Sequence, residues 1–263
     1  MQNARGGYTI VEVLIVLVVS LVVFFAAVTV FSGKQGKTEF AQAMRDVESQ
    51  IQAAINDVRV STYPDASNYR CIIDPLSQRP ALVSGSSQSG TNTNCIFLGK
   101  AIELSTTTNP DQLNVYTVLG RRLNGSTPVT TFEYPNPEPN PETIDQLTET
   151  YKIIFGAMVL SARQDAAPAT EPAYLMGFYN SLQSTSAPTQ GSQSLKTVGY
   201  VGPNNFGSGL VKTAIRGLGA ATPVNSKIWT ICFQSGTSNE TAQLIVNSSF
   251  SGATTQVKYT SCS

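Results

Sequence analysis

The chain has 263 residues, a formal net charge of zero, and 13% charged residues against roughly 25% in an average soluble domain. It contains no histidine, which excludes the commonest general base and the commonest metal ligand. The balanced charge offers no electrostatic argument for a nucleic-acid partner. We predict no enzymatic activity, no cofactor and no metal, and the length suffices for an anchor with one sizeable domain or two small ones.

The first long element is an apolar run from Ile10 to Phe31, which carries one charge, Glu12, and no proline or glycine. As a helix it would be roughly 33 Å long, enough to cross a hydrocarbon core of about 30 Å. A carboxylate inside that core costs about 2.5 kcal/mol or more unless it has a partner. Glu12 therefore indicates more than passive anchoring.

Residues 5–31 resemble the class III signal of type IV prepilins and type II secretion pseudopilins. The leader is short, carries one cation, Arg5, and ends in a glycine pair; the hydrophobic Tyr8 follows, and Glu12 is the fifth residue from Tyr8. The resemblance implies that a prepilin peptidase cleaves between Gly7 and Tyr8, and that Tyr8 becomes N-methylated. It also implies that Glu12 pairs with the terminal amine of a neighbouring subunit. Tyr8 departs from the family, which usually has Phe at that position.

The fold implied by this resemblance is α+β: a long N-terminal α-helix packed on an antiparallel β-sheet head, as in pilins. Residues 1–7 would be the leader and residues 8–31 the transmembrane and polymerisation helix. Residues 32–63 would continue the helix in amphipathic form, and residues 64–263 would be a disulfide-tied, β-rich head.

The function implied is that of a fibre subunit, assembled through residues 8–31 into an extracellular or periplasm-spanning fibre. Its partners would be other pilin subunits, the prepilin peptidase and methyltransferase, the inner-membrane assembly platform and the membrane itself. It would cross the cytoplasmic membrane once, with its head outside the cytoplasm, before entering a cell-surface fibre. The large head predicts a minor subunit, because bulky loops clash when repeated along a crowded fibre. A type II secretion pseudopilin, a plain or binding-competent monomeric membrane anchor and a membrane-tethered enzyme are the alternatives.

The segment after the apolar run keeps a helical period. One apolar stripe recurs at spacings of three and four residues and consists of Phe40, Met44, Val47, Ile51, Ile55 and Val58. We expect this stripe to dock on the protein's own sheet, with a partner-binding face as the alternative. Pro64 should end the helix after Tyr63, and Gly33 and Gly36 are candidates for a bend or a melted turn.

Four cysteines, Cys71, Cys95, Cys232 and Cys262, are widely spaced and allow three connectivities. In an exported domain, the oxidising compartment would favour disulfides. We predict that nearest neighbours in sequence pair, Cys71 with Cys95 and Cys232 with Cys262. A four-cysteine zinc site is the alternative, although such sites usually have two ligands within four residues of each other.

The remaining segments predict short strands between polar loops. The loop from Ser84 to Asn94 is too polar to bury a core. The run from Thr131 to Glu142 has proline at every second position from Pro135 to Pro141, which predicts a stiff spacer. The C-terminus predicts a three-stranded meander, which is similar to the C-terminal sheet of minor pseudopilins. The predicted strands are Cys95–Leu104, Gln112–Leu119, Tyr151–Leu160, Tyr174–Tyr179, Lys196–Val201, Leu210–Ile215, Lys227–Gln234, Thr241–Val246 and Thr254–Thr260.

Overall fold

The fold is α+β, with an apolar helix at the N-terminus followed by antiparallel sheets. The computed structural model describes most of the chain, apart from the first eight residues, the last residue and several loops. The described residues are 9–60, 68–85, 95–121, 123–124, 127–128, 141–166, 169–180, 195–219, 221–225, 228–249 and 252–262.

Helix α1 (Ile10–Val60) is continuous over 51 residues, which corresponds to a length of roughly 77 Å. It runs through both candidate positions, Gly33 and Gly36, in helical conformation, so neither forms a melted turn. The reason at Gly36 is packing: this residue is buried, and a methyl group on it would lie 3.4 Å from Oγ1 of Thr237. The expected end at Tyr63 and Pro64 falls outside the described residues.

The described part of the head contains two main sheets and one short α-helix, α2 (Gly207–Ile215). The strands are β1 (Tyr69–Ile73), β2 (Pro80–Ser84), β3 (Cys95–Leu104), β4 (Gln112–Arg121), β5 (Leu123–Asn124), β6 (Thr127–Pro128), β7 (Glu142–Lys152), β8 (Met158–Ala166), β9 (Ala169–Pro172), β10 (Leu175–Asn180), β11 (Leu195–Val201), β12 (Thr222–Asn225), β13 (Ile228–Gln234), β14 (Thr241–Ser249) and β15 (Gly252–Lys258).

The six-stranded sheet has the order β12-β11-β10-β3-β4-β7, and the five-stranded sheet has the order β15-β14-β13-β8-β9. Strands β1 and β2 form one separate pair, and β5 and β6 form another. Every described pairing is antiparallel. The predicted C-terminal meander is therefore confirmed as β13-β14-β15, and β8 extends it into a larger sheet.

The second half of α1 belongs to the core of the head. Its predicted apolar stripe is buried at every position, with exposures of 0–2% for Phe40, Met44, Val47, Ile51, Ile55 and Val58. The helix packs against β15 and β14 of one sheet and β3 and β10 of the other. The expectation that the stripe docks on the protein's own sheets is confirmed.

Polar contacts also hold the helix on both sheets. The buried ammonium of Lys100 on β3 lies 2.6 Å from Oδ2 of Asp57 on the helix. On the other sheet, Oγ1 of Thr255 donates to Oε1 of Gln52 over 3.2 Å. These contacts lie on strands of different sheets, so α1 joins the two sheets.

Two of the predicted strands are wrong in their conformation. Leu210–Ile215 belongs to α2, where Val211, Ala214 and Ile215 are buried at helical spacing. Tyr151–Leu160 is interrupted by a 3₁₀ turn at Ile154–Gly156, in which Phe155 has a φ of 55°. The break divides this segment between the end of β7 and the start of β8.

The structure contains two disulfides, and they join the pairs expected from sequence proximity. Cys71 on β1 is bonded to Cys95 at the start of β3, with Cα atoms 6.2 Å apart. Cys232 on β13 is bonded to Cys262 near the C-terminus, with Cα atoms 5.9 Å apart. No cysteine is free, so the zinc-site alternative is wrong. Most of the predicted polar loop and of the proline-rich spacer lies outside the described residues.

Candidate functional site

The first half of α1 has no contact with the head that would cover it. Ile10–Val28 has a mean hydropathy of 3.0 over 19 residues, and none of this segment is buried. A helix that is apolar on all sides needs an apolar solvent or a protein partner around it. Within the described part of the chain, it is the one helix long and apolar enough to cross a membrane.

Glu12 takes part in a capping box at the start of this helix. Thr9 precedes the first helical residue, and its Oγ1 accepts a hydrogen bond from the backbone N–H of Glu12 at 3.3 Å. In return, Oε2 of Glu12 accepts from the backbone N–H and from the hydroxyl of Thr9, each at 3.2 Å. This reciprocal pattern satisfies otherwise unpaired donors of the first turn. The carboxylate also lies at the positive end of the helix dipole.

The capping box is readable in the sequence as Thr-x-x-Glu, although the resemblance to prepilins predicts only an external partner for Glu12. It changes the interpretation of Glu12, because the carboxylate already has partners within a single chain. Its second oxygen, Oε1, accepts no hydrogen bond from a described residue. One oxygen is therefore committed to the helix start, and the other is open to an external donor.

Cationic residues mark the other end of the apolar half. Lys34 and Lys37 are both exposed. Lys34 lies about 33 Å along the helix from Glu12. The ammonium of Lys37 lies 2.9 Å from Oε1 of Glu240 in the head. The hydrogen bond to Glu240 and its negative charge raise the pKa of Lys37. The apolar cylinder thus has an acidic residue at one end and lysines at the other.

The remaining predicted site residues are either outside the described residues or in the head. Gly7 and Tyr8, the predicted cleavage position, lie outside the described residues. Cys71, Cys95, Cys232 and Cys262 all lie in the head, as disulfides. Among the described residues, no group of three or more Cys, Asp or Glu side chains is arranged to hold a metal ion.

The arrangement therefore offers an apolar surface and one half-satisfied carboxylate, which suit assembly or anchoring. Comparisons of the chain with protein-family models, with curated proteins and with solved structures found no match. The function must consequently be inferred from the residues and contacts of this chain.

Proposed function

We propose that this protein is a type IV pilin-like fibre subunit, cleaved between Gly7 and Tyr8 and assembled through the first half of α1. The observation that carries the proposal is the continuity of α1. A bare apolar half, Ile10–Val28, extends without a break into a half whose stripe is part of the head's core. A simple membrane tether needs no such rigid join, because a flexible linker holds a domain near a membrane equally well.

A rigid join has a use in a polymer. When bare helices of several copies pack side by side, each covers apolar surface of its neighbours, which the hydrophobic effect favours once the helices leave the lipid. Because each head is fixed to its helix by buried contacts, the packing of the helices also fixes the spacing of the heads. The first half of α1 would therefore be the assembly surface, with other copies or related subunits as partners.

Glu12 would set the register of that packing. Inside a helix bundle with little water, an ionised carboxylate needs a cation beside it. Cleavage after Gly7 would create an amine on Tyr8, and a neighbouring subunit could place this amine against the open Oε1 of Glu12. The capping box would hold the carboxylate in a fixed position before the partner arrives.

The proposal includes the machinery that such a subunit requires. A prepilin peptidase and methyltransferase would process Tyr8, and an inner-membrane platform would extract the subunit from the cytoplasmic membrane. The large head favours a minor subunit of a pilus. A type II secretion pseudopilin would use the same helix in the same way.

The test separates the charge of Glu12 from its capping role. Glu12→Gln keeps a capping-box side chain but removes the charge, whereas Thr9→Val removes the capping hydroxyl and keeps the charge. We expect both variants to insert into the membrane, and Glu12→Gln to enter sheared fibres about tenfold less, which corresponds to roughly 1.4 kcal/mol. The readout is the ratio of fibre-bound to membrane-bound protein. Equal incorporation of Glu12→Gln and wild type would contradict the proposal.

The capping box itself favours a second function, that of a monomeric membrane-anchored binding module. In that case Glu12 only stabilises the start of the helix, and Thr9→Val should destabilise the first helical turn as much as Glu12→Ala does. Mass spectrometry of the mature chain distinguishes the two functions. A chain that begins with N-methylated Tyr8 supports the fibre subunit, and one that still begins with Met1 supports the anchor.

A further inference from the structure

The head has a cleft of about 480 Å³ on one face of the six-stranded sheet. It lies among β3, β4, β7, the turn after β3 and the N-terminal end of α2. Lys100 on β3 points to α1, and Glu103, three residues further, lies on the opposite face of the strand. The cleft therefore opens away from α1, and its volume is within the range of small-molecule sites.

The floor of the cleft is a fixed polar network around Glu103, which is 3% exposed. One oxygen of its carboxylate accepts from the backbone N–H of Gly207 at 2.6 Å. The other accepts from the hydroxyl of Tyr116 at 2.7 Å and from the amide of Asn114 at 3.0 Å. Oγ1 of Thr150 donates to Asn114 in turn, at 2.9 Å. Glu103, Asn114 and Thr150 are directly opposite each other on three neighbouring strands.

Three fixed, uncharged donors occupy both oxygens of Glu103 and stabilise its buried carboxylate. Burial, together with the hydrogen bond to Glu103, raises the pKa of Tyr116, so its phenol stays protonated and donates. The second carboxylate of the cleft, Asp145, lies 3.1 Å from the ammonium of Lys212. Both carboxylates therefore already have partners within the head, and neither is free to bind a cation.

The walls of the cleft offer unused hydrogen-bonding groups. The side-chain amides of Asn109, Gln112 and Asn205 line it and make no hydrogen bond to another described residue. Each amide provides both donors and an acceptor. The hydroxyl-bearing residues Thr108 and Ser208 lie on its exposed rim.

The chemistry of this lining selects one class of ligand. None of the described residues that line the cleft is a lysine or arginine, so an anion has no counter-charge there. Apolar ligands would leave the amides unpaired, at a cost of about 1–3 kcal/mol for each buried polar group. A ligand whose surface alternates hydroxyl donors and acceptors matches the lining.

We propose that this cleft binds a neutral saccharide. The proposal is independent of fibre assembly, because every residue that it uses belongs to the head.

The experiment uses the full chain in detergent micelles and an array of neutral oligosaccharides built from glucose, galactose, mannose and N-acetylhexosamines, with sialylated and sulfated glycans on the same array. Ser208→Trp fills the rim of the cleft. Leu210→Trp, at an exposed position on the same helix outside the cleft, is the matched control. We expect binding of a neutral glycan that Ser208→Trp weakens by about tenfold or more, or roughly 1.4 kcal/mol, and that Leu210→Trp leaves unchanged.

Near-ultraviolet circular dichroism checks that both variants are folded. If Ser208→Trp does not fold, the double variant Gln112→Ala/Asn205→Ala replaces it, with the same expected loss. No binding to any neutral glycan overturns the proposal, as does a preference for charged glycans or binding that survives in the cleft variant.

Discussion

The two halves of helix α1 are continuous in backbone and opposite in environment. Ile10–Val28 is apolar around its whole circumference and nothing in the head covers it. The half from Lys34 to Val60 is apolar on one stripe only, and that stripe is buried against both sheets. The difference lies in the distribution of polar residues around the helix. A half with one apolar stripe packs on the protein's own sheets, whereas a half that is apolar on all sides needs apolar surroundings that the head does not provide.

The largest loss of free energy is expected when an ionised carboxylate is introduced into either half of α1. Ile51 is fully buried, so Ile51→Asp should cost the head about 4 kcal/mol or more through a cavity and a buried carboxylate. Ile15 is 58% exposed, and Ile15→Asp should leave the head folded but make membrane insertion less favourable by about 3 kcal/mol.

Protease resistance of the head and carbonate extraction of membranes measure the two losses separately. If Ile51→Asp resists protease as wild type does, the second half of α1 is not part of the core. A loss of head structure in Ile15→Asp would mean that the halves are not energetically separate.

The disulfides sharpen the comparison, because both lie in the head and each has one end in or just after a strand that packs on the docked half: Cys95 in β3 and Cys262 after β15. The double variants Cys71→Ser/Cys95→Ser and Cys232→Ser/Cys262→Ser each open a loop of similar length, with sequence separations of 24 and 30. Each should lose about 3–4 kcal/mol in urea denaturation on the chain-entropy model. Because β3 and β15 both pack on α1, each variant should speed hydrogen exchange in the docked half. Unchanged exchange there in both variants would contradict this.

A smaller effect is expected at the ion pair between the docked half and β3. The side chain of Lys100 is 8% exposed and that of Asp57 is 42% exposed. Asp57→Asn leaves the buried ammonium with Glu149 at 4.0 Å, and it should destabilise the head by about 1–3 kcal/mol. Lys100→Met added to Asp57→Asn should recover most of that loss, because it removes the unpaired charge. A double variant as unstable as Asp57→Asn would exclude this explanation.

The effect that is smallest near neutral pH is a loss of head stability that begins only at high pH, and the bare half is exempt from it because it contains no tyrosine. The hydroxyls of Tyr179 and Tyr200 lie 2.8 Å apart, and burial raises the pKa of both. An unfolded tyrosine ionises near pH 10, so this contribution is complete below about pH 10 and is lost as the pH rises further. The slope should be about 1 kcal/mol per pH unit for each tyrosine. Tyr179→Phe should reduce it in urea titrations between pH 9 and 12, and an unchanged slope would contradict this origin.

The sequence predicted best what depends on local periodicity. The apolar run, the stripe from Phe40 to Val58 and the C-terminal meander are patterns of neighbours along the chain, and the structure contains all three. Helix α2 was predicted as a strand, although its buried positions follow helical spacing, because its apolar run is too short to separate the two periods.

Other features could not be predicted because they depend on distant segments. The division into two sheets is set by pairings such as β8 with β13, which join residues far apart in the chain. The saccharide-binding cleft combines side chains from three strands, a turn and a helix end, none of which forms a motif. The capping role of Glu12 could have been predicted, since Thr9 stands three residues before it. The resemblance to prepilins instead implied a partner for Glu12 on a neighbouring subunit.

The packing of β15 on α1 has a consequence for how the protein is made. Tyr259, just after this last strand, contacts Phe40 through their rings, whose centroids are 6.4 Å apart. Because α1 precedes β14 and β15 in the chain, the part of the stripe that these strands cover stays exposed until most of the head has been translated, whereas β3 and β10 can cover the other part earlier. Contacts so distant in sequence form slowly. A chain that stops before β15 keeps the apolar half of α1 and leaves part of the stripe uncovered, so we expect such truncated products to be more sensitive to proteases than the full chain.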